Sequence, residues 1–170
     1  MEALKINDIL FKGNHSKEEV LRYYDNWART GKYDVLRKFG FEYLDALDTS
    51  ESMLEQAKKK NVYNNYICDY LNETTMAHRN GFYDCITTSG GFGKGHIPAV
   101  ALYDLIRLTK KGGHVIIVMR EEYIHMPCYM NVLEPLMKKL EDEKKWKMIQ
   151  RSVIPEYFLY KSGLLYVFQI

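Results

Sequence analysis

The chain has 170 residues and a mass of 20.1 kDa, with 46% hydrophobic and 27% charged residues, enough for one globular domain with a sizeable core and too few for two. Its 24 basic and 22 acidic residues are mixed along the sequence and leave a net charge of +2. That excludes the dense basic footprint of a polyanion binder and points away from nucleic acid and anionic membrane as partners.

In chain order, residues 1 to 15 form a polar lead-in. Ser16 and Glu19 make a capping box that starts a helix through Val20, Leu21, Tyr24 and Trp27, ended by Gly31. Val35 to Phe39 is expected as a helical turn and Phe41 to Leu47 as a strand, with Asp48 as the cap of the helix that carries Met53, Leu54 and Ala57. Short strands are expected at Tyr66 to Cys68 and at Phe82 to Thr88, the latter between Asn80-Gly81 and Gly90-Gly91. Pro98 to Thr109 reads as a helix stopped by Lys110-Lys111-Gly112-Gly113, before the apolar strand Val115 to Met119, expected to be buried on both faces.

Pro127 to Lys145 reads as one long helix. Met148 to Ile154 and Leu164 to Ile170 read as an antiparallel hairpin turned at Lys161-Ser162-Gly163. The alternation predicts an α/β fold, a three-layer sandwich on a mostly parallel sheet with an antiparallel C-terminal strand. The expected division is a single domain, with residues 1–34 as a helical cap and 35–170 as the core.

Three dispersed cysteines, Cys68, Cys85 and Cys128, give neither a disulfide framework nor zinc spacing, and are expected as reduced, buried thiols. The longest aliphatic run is far shorter than a bilayer span, so the expectation is a soluble, cytoplasmic protein without a metal site.

Ligands of open α/β sheets sit outside the carboxyl ends of the strands, which selects the residues to weigh. Asp48 suits either the two hydroxyls of a ribose or a plain helix cap. Asp69, with Tyr70, suits either an adenine edge or a turn that bonds its own backbone. Gly90-Gly91-Phe92-Gly93-Lys94-Gly95-His96 follows a strand but matches neither phosphate-loop pattern. Thr88 stands where the P-loop needs glycine, Gly95 where it needs Ser or Thr, and His96 where the dinucleotide turn needs a small residue. His96 is a candidate base or a helix-start residue. Lys94 and Arg120 are candidates to hold an acidic substrate or are solvated, and Tyr24 and Trp27 line a pocket or pack in the core.

Five stretches together resemble the class I S-adenosylmethionine-dependent methyltransferases, and most closely the methyltransferase-like family linked to the Williams–Beuren syndrome region. They are Tyr24 to Ala28, Asp45 to Leu54, Tyr66 to Asp69, Ser89 to His96 and Val118 to Glu122. The resemblance implies a Rossmann-like fold and S-adenosylmethionine as cofactor. It implies that Asp48 and Thr49 hold the ribose, Asp69 and Tyr70 the adenine, and Ser89 and Gly90 the methionine part. Tyr24, Trp27, Phe92, His96 and Arg120 would lie around the acceptor, a small molecule, with no catalytic base implied.

The family places its first strand and glycine-rich turn between Tyr33-Asp34 and Val35 to Phe41, and here both are missing. Cofactor affinity below that of a full-length relative is therefore expected. A second expectation is a non-catalytic isoform or pseudoenzyme that acts through protein partners, including self-association through exposed sheet edges. A third is a nucleotide-dependent oxidoreductase, with Phe82 to Gly95 as its phosphate turn and Glu121 on the ribose.

Overall fold

The computed structural model describes residues 42–71, 76–93, 95–158 and 160–170. The expected helix with Tyr24 and Trp27, the turn at Val35, the missing strand and turn near Asp34, the division at residue 34 and Lys94 all lie outside the described residues. The chain divides at Tyr70/Leu71 into two compact units.

In the first unit β1 (Asp45–Asp48) runs parallel to β2 (Asn65–Cys68), pairing Asp45 with Asn65 and Asp48 with Cys68. Parallel neighbours need a crossover, and α1 (Glu51–Lys58) supplies it, with Leu54 buried on its inner face. The cap of α1 is Ser50, whose hydroxyl accepts from the Met53 N–H at 3.4 Å. Asp48 is thus not the helix cap expected from sequence. It ends the strand, and its Oδ1 accepts from the Ser50 N–H at 2.8 Å, turning the chain into the helix.

The second unit holds a four-stranded sheet in the order β3-β4-β6-β5. Its strands are β3 (Tyr83–Ser89), β4 (Thr109–Arg120), β5 (Lys147–Phe158) and β6 (Lys161–Gln169). β3 and β4 are parallel and joined through α2 (Leu102–Leu108), whereas β6 is antiparallel to both β4 and β5. Among the described residues the strands therefore make two ladders, one of two strands and one of four.

One face of the four-stranded sheet carries the core. Val115, Ile117, Met119, Leu164, Tyr166 and Phe168 are wholly buried with Leu102 and Leu105 of α2 and with Leu133, Met137 and Leu140 of α3 (Leu133–Asp142). The opposite face of β4, with Ile116 and Val118, is only half-buried, so the expected burial on both faces is not met. Lys110 to Gly113 does not end the helix as expected. α2 stops at Leu108, and these residues open β4 as an irregular start, with Gly112 at φ +82.

α3 begins six residues after the predicted start at Pro127. Asn131 stands at φ +57, a left-handed conformation that a continuous helix cannot pass through, and a buried Tyr129 is held by hydrogen bonds outside this segment. Cys68 and Cys128 are exposed rather than buried, and all three thiols are free. Among the described residues no helix is long and apolar enough to cross a membrane, and no three metal-binding side chains come together.

α3 is tied to the sheet by an ionic knot. Glu134 accepts from the Tyr166 hydroxyl at 2.6 Å and from Arg151 Nε at 3.0 Å, and the Arg151 guanidinium lies 5.7 Å from the Tyr166 ring centre. Partial burial pushes the Glu134 carboxyl up, but these two hydrogen bonds and the Arg151 charge outweigh it and hold the group below its ordinary value. A depressed carboxyl contributes stability in full above its unfolded value near 4.3, and that stability is lost as pH falls through the folded value. In urea titrations the native chain should therefore exceed Glu134→Gln in midpoint at neutral pH, and the gap should narrow below about pH 4.5. A gap that does not change with pH would show that the Glu134 charge plays no part.

Candidate functional site

In the first unit, register brings the carboxyl ends of β1 and β2 side by side. The Asp69 N–H donates to the Asp48 carbonyl at 3.2 Å, which extends the parallel ladder by one step and sets the two acidic residues on adjacent strand ends. Each carboxylate is half-buried and pinned by its own turn, Asp48 Oδ1 by the Ser50 N–H and Asp69 Oδ1 by the Tyr70 N–H at 2.7 Å. Among the described residues the second oxygen of each makes no hydrogen bond. Thr49 is exposed and Tyr70 is 67% exposed, so the pair faces an accessible edge.

This pair of acceptors fits the adenosine end of S-adenosylmethionine. A pinned carboxylate with one uncommitted oxygen can accept from ribose hydroxyls, and a second one can accept from an exocyclic amine. The exposed Tyr70 offers an aromatic surface beside it.

In the second unit, Ser89 is the exposed last residue of β3, and its Oγ lies 2.9 Å from the Tyr157 hydroxyl. Gly90, at φ +75, turns the chain while its N–H donates to the Val118 carbonyl at 2.9 Å. Gly91 is required by space, since a Cβ there would lie 2.2 Å from Thr88 Oγ1. The loop is then stapled from below by Tyr129, whose hydroxyl accepts from the Gly93 N–H at 2.9 Å and lies 2.5 Å from the Ile97 carbonyl. Burial raises the Tyr129 phenol above its ordinary value, which keeps it a neutral donor.

Phe92 has no exposed surface and packs in the core beside Tyr129, with ring centres 6.0 Å apart, so it anchors the loop. His96 is exposed, and its backbone N–H donates to the Gly93 carbonyl at 3.1 Å. Arg120, 8% exposed at the end of β4, pairs with Glu122 at 2.7 Å and lies 5.3 Å from the Tyr123 ring centre and 5.8 Å from that of Phe158. Glu122 also pairs with Lys161 at 3.3 Å. The arginine so placed braces the strand end against the hairpin.

The structure thus brings Asp48, Thr49, Asp69 and Tyr70 together on one strand edge. Ser89, Gly90 and Arg120 lie at the carboxyl ends of β3 and β4, and His96 in the loop that follows β3. The roles of Tyr129 and Tyr157 are not evident from local sequence, because their partners are 36 and 68 residues away. One signal was available for Tyr157. Gly163 is a glycine inside a strand, which marks a close approach, although with Lys161 and Ser162 it also has turn chemistry. A shallow cavity of about 370 Å³ beside Trp146, lined also by Lys144, Lys147 and Gln169, lies near the start of β4, away from the strand ends that bind ligands in such sheets.

Comparison with known proteins bears on the family and the fold. Residues 31–117, just over half of the chain, match the family model described as a methyltransferase domain. Methyltransferase-like protein 27 of Homo sapiens is 30% identical over 112 residues, which cover 66% of this chain and 45% of that protein. The chain therefore spans less than half the length of this curated relative.

Among solved structures, the 16S rRNA (adenine(1408)-N(1))-methyltransferase of Catenulisporales acidiphilia with its cosubstrate SAM is 16% identical, with a TM-score of 0.59. The match covers 84% of this chain and 79% of that one. The N-methyltransferase NodS of Bradyrhizobium japonicum is 11% identical, with a TM-score of 0.54 and coverage of 75% and 72%. At these identities the likeness is one of fold. With the family model spanning half its length and its α/β architecture shared with these enzymes, the chain belongs to the methyltransferase domain family and has the Rossmann-like fold of class I S-adenosylmethionine-dependent methyltransferases.

Proposed function

We propose that this chain binds S-adenosylmethionine and belongs to an enzyme that transfers its methyl group to a small-molecule acceptor. The observation that carries the reading is the pair of turn-pinned carboxylates, Asp48 and Asp69, on adjacent parallel strand ends. Asp48 with Thr49 takes the ribose, Asp69 with Tyr70 the adenine, and Ser89 with Gly90 the amino-acid end of the cofactor. His96 and Arg120, with Tyr24 and Trp27, belong to the acceptor side, and the buried Phe92 anchors the loop. The cofactor supplies an electrophilic sulfonium methyl group. The residues named here bind, orient and shield, and none of them needs to act as a base. The mixed surface charge and net charge of +2 support a small acceptor over a nucleic acid.

Incubating the chain with S-adenosylmethionine and a small-molecule cell filtrate, and separately with an RNA fraction, tests this reading through S-adenosylhomocysteine release. Release with the filtrate alone supports it, and release with RNA alone overturns the choice of acceptor. A second reading is a non-catalytic chain acting through protein partners at exposed sheet edges. Release in neither mixture from a chain that binds cofactor would favour it.

A further inference from the structure

The C-terminal hairpin carries a side chain that no comparison assigns, and its placement is built by several separate features. The ladder between β5 and β6 slips between Ile154 and Phe158, and Glu156 stands at φ +50, so the strand turns out of register just before Tyr157. The Tyr157 ring then lies on Gly163 of β6. A Cβ at that position would sit 2.6 Å from Tyr157 Cγ and 2.8 Å from its Cβ and Cδ1, so any larger residue there would displace the ring. Gly163 pairs with Arg120, whose contacts with Phe158, Tyr123 and Glu122 hold the hairpin tip to the end of β4. From β5 the phenol thus reaches Ser89 of β3, three places along the sheet order, past the ends of β6 and β4.

The result is two hydroxyls 2.9 Å apart at the carboxyl end of β3, one on the exposed Ser89 and one on the half-buried Tyr157. A hydroxyl pair holds two protons and needs only one for its mutual bond. It keeps one proton to donate to a carboxylate oxygen and lone pairs to accept from an ammonium group, which are the two charged groups of an amino acid. The pair lies at the carboxyl end of a parallel strand, where ligands of open α/β sheets bind.

We propose that Tyr157 is a cofactor-binding residue that, together with Ser89, takes the amino-acid end of S-adenosylmethionine. The inference rests on the assignment of Ser89 above and adds a ligand from the hairpin. It also supplies polar contacts of the kind that the absent glycine-rich turn would have offered.

Calorimetric titration of the full chain with S-adenosylhomocysteine and, separately, with adenosine tests it, since adenosine lacks the amino-acid end. Tyr157→Phe keeps the ring on Gly163 and removes only the hydroxyl. It should weaken S-adenosylhomocysteine about tenfold and leave adenosine within about twofold, as expected for one hydrogen bond to a charged group. Gly163→Ala, which displaces the ring, should show the same selectivity. Unchanged S-adenosylhomocysteine affinity in Tyr157→Phe, or equal weakening of both ligands, would overturn the proposal and leave the tyrosine as a structural tether. Wild-type binding of adenosine without any gain from the amino-acid end would overturn it too, while the adenosine assignment stands. Binding of neither ligand would overturn that assignment as well.

Discussion

Asp48→Ala should weaken S-adenosylhomocysteine binding about 30-fold, or about 2 kcal/mol, because on the proposed reading it removes the charged acceptor of the two ribose hydroxyls. The carboxylate is preorganised for that task. Its Oδ1 is held by the Ser50 N–H, so the other oxygen is fixed in direction before any ligand arrives. The same substitution removes the turn bond that leads into α1, so part of the loss could come from a distorted strand end. Asp48→Asn separates the two effects. Its amide oxygen still accepts from Ser50 while the negative charge is gone, and it should lie between the native chain and Asp48→Ala. Calorimetry on both variants, alongside their thermal midpoints, checks the order. Equal affinity in all three chains would remove Asp48 from the site.

The largest stability effect is expected at Trp146. The indole is 4% exposed and stacks on Phe168 with ring centres 3.8 Å apart and planes 9° from parallel. Its Nε1 also donates to the Met137 carbonyl of α3 at 3.1 Å. Trp146 stands between α3 and β5, so its ring closes the core at the end of the sheet where the chain leaves the helix. Trp146→Ala removes the stacked surface, a buried hydrogen bond and the volume of a bicyclic ring at once. A loss of about 3–5 kcal/mol in urea unfolding is expected. Because the residue is far along the sheet from Ser89 and Tyr157, a variant that still folds should keep its cofactor affinity. A loss below about 1 kcal/mol would show that the helix and sheet do not share one packed core there.

Where sequence and structure agree, the reason is local. Asp69 follows a short apolar strand, and β3 sits between Asn80-Gly81 and Gly90-Gly91, so strand ends could be read from period and punctuation alone. The antiparallel pairing of the C-terminal hairpin was legible for the same reason. Where they differ, a contact distant in sequence or a competing local bond decides. Ser50 rather than Asp48 caps α1, because the Asp48 side chain is already committed to the turn. The segment from Pro127 to Val132 has helical composition, yet Tyr129 is drawn to Gly93 and Ile97 and Asn131 adopts a left-handed conformation. Lys161-Ser162-Gly163 has turn chemistry but runs as strand, and its glycine makes room for the Tyr157 ring. Phe92, singled out as a pocket residue, is legible as a loop anchor only once Tyr129 is seen beneath it.

The consequence for function follows from the same distinction. The adenosine-side carboxylates come from short-range sequence logic and are found side by side on β1 and β2. By the resemblance to this family, the amino-acid end would depend on a strand and turn expected between Asp34 and Val35, in the part of the chain outside the described residues. If the Ser89 and Tyr157 hydroxyls supply part of what is missing, cofactor binding should persist at reduced strength.

The most direct measurement is isothermal titration of S-adenosylhomocysteine into the purified 170-residue chain, beside a full-length relative. Saturable, one-to-one binding that is weaker than the relative's is the expected result. No heat from a sample shown by its unfolding transition to be folded would contradict a cofactor site in this chain, and affinity equal to the relative's would contradict the weakening assigned to the missing turn.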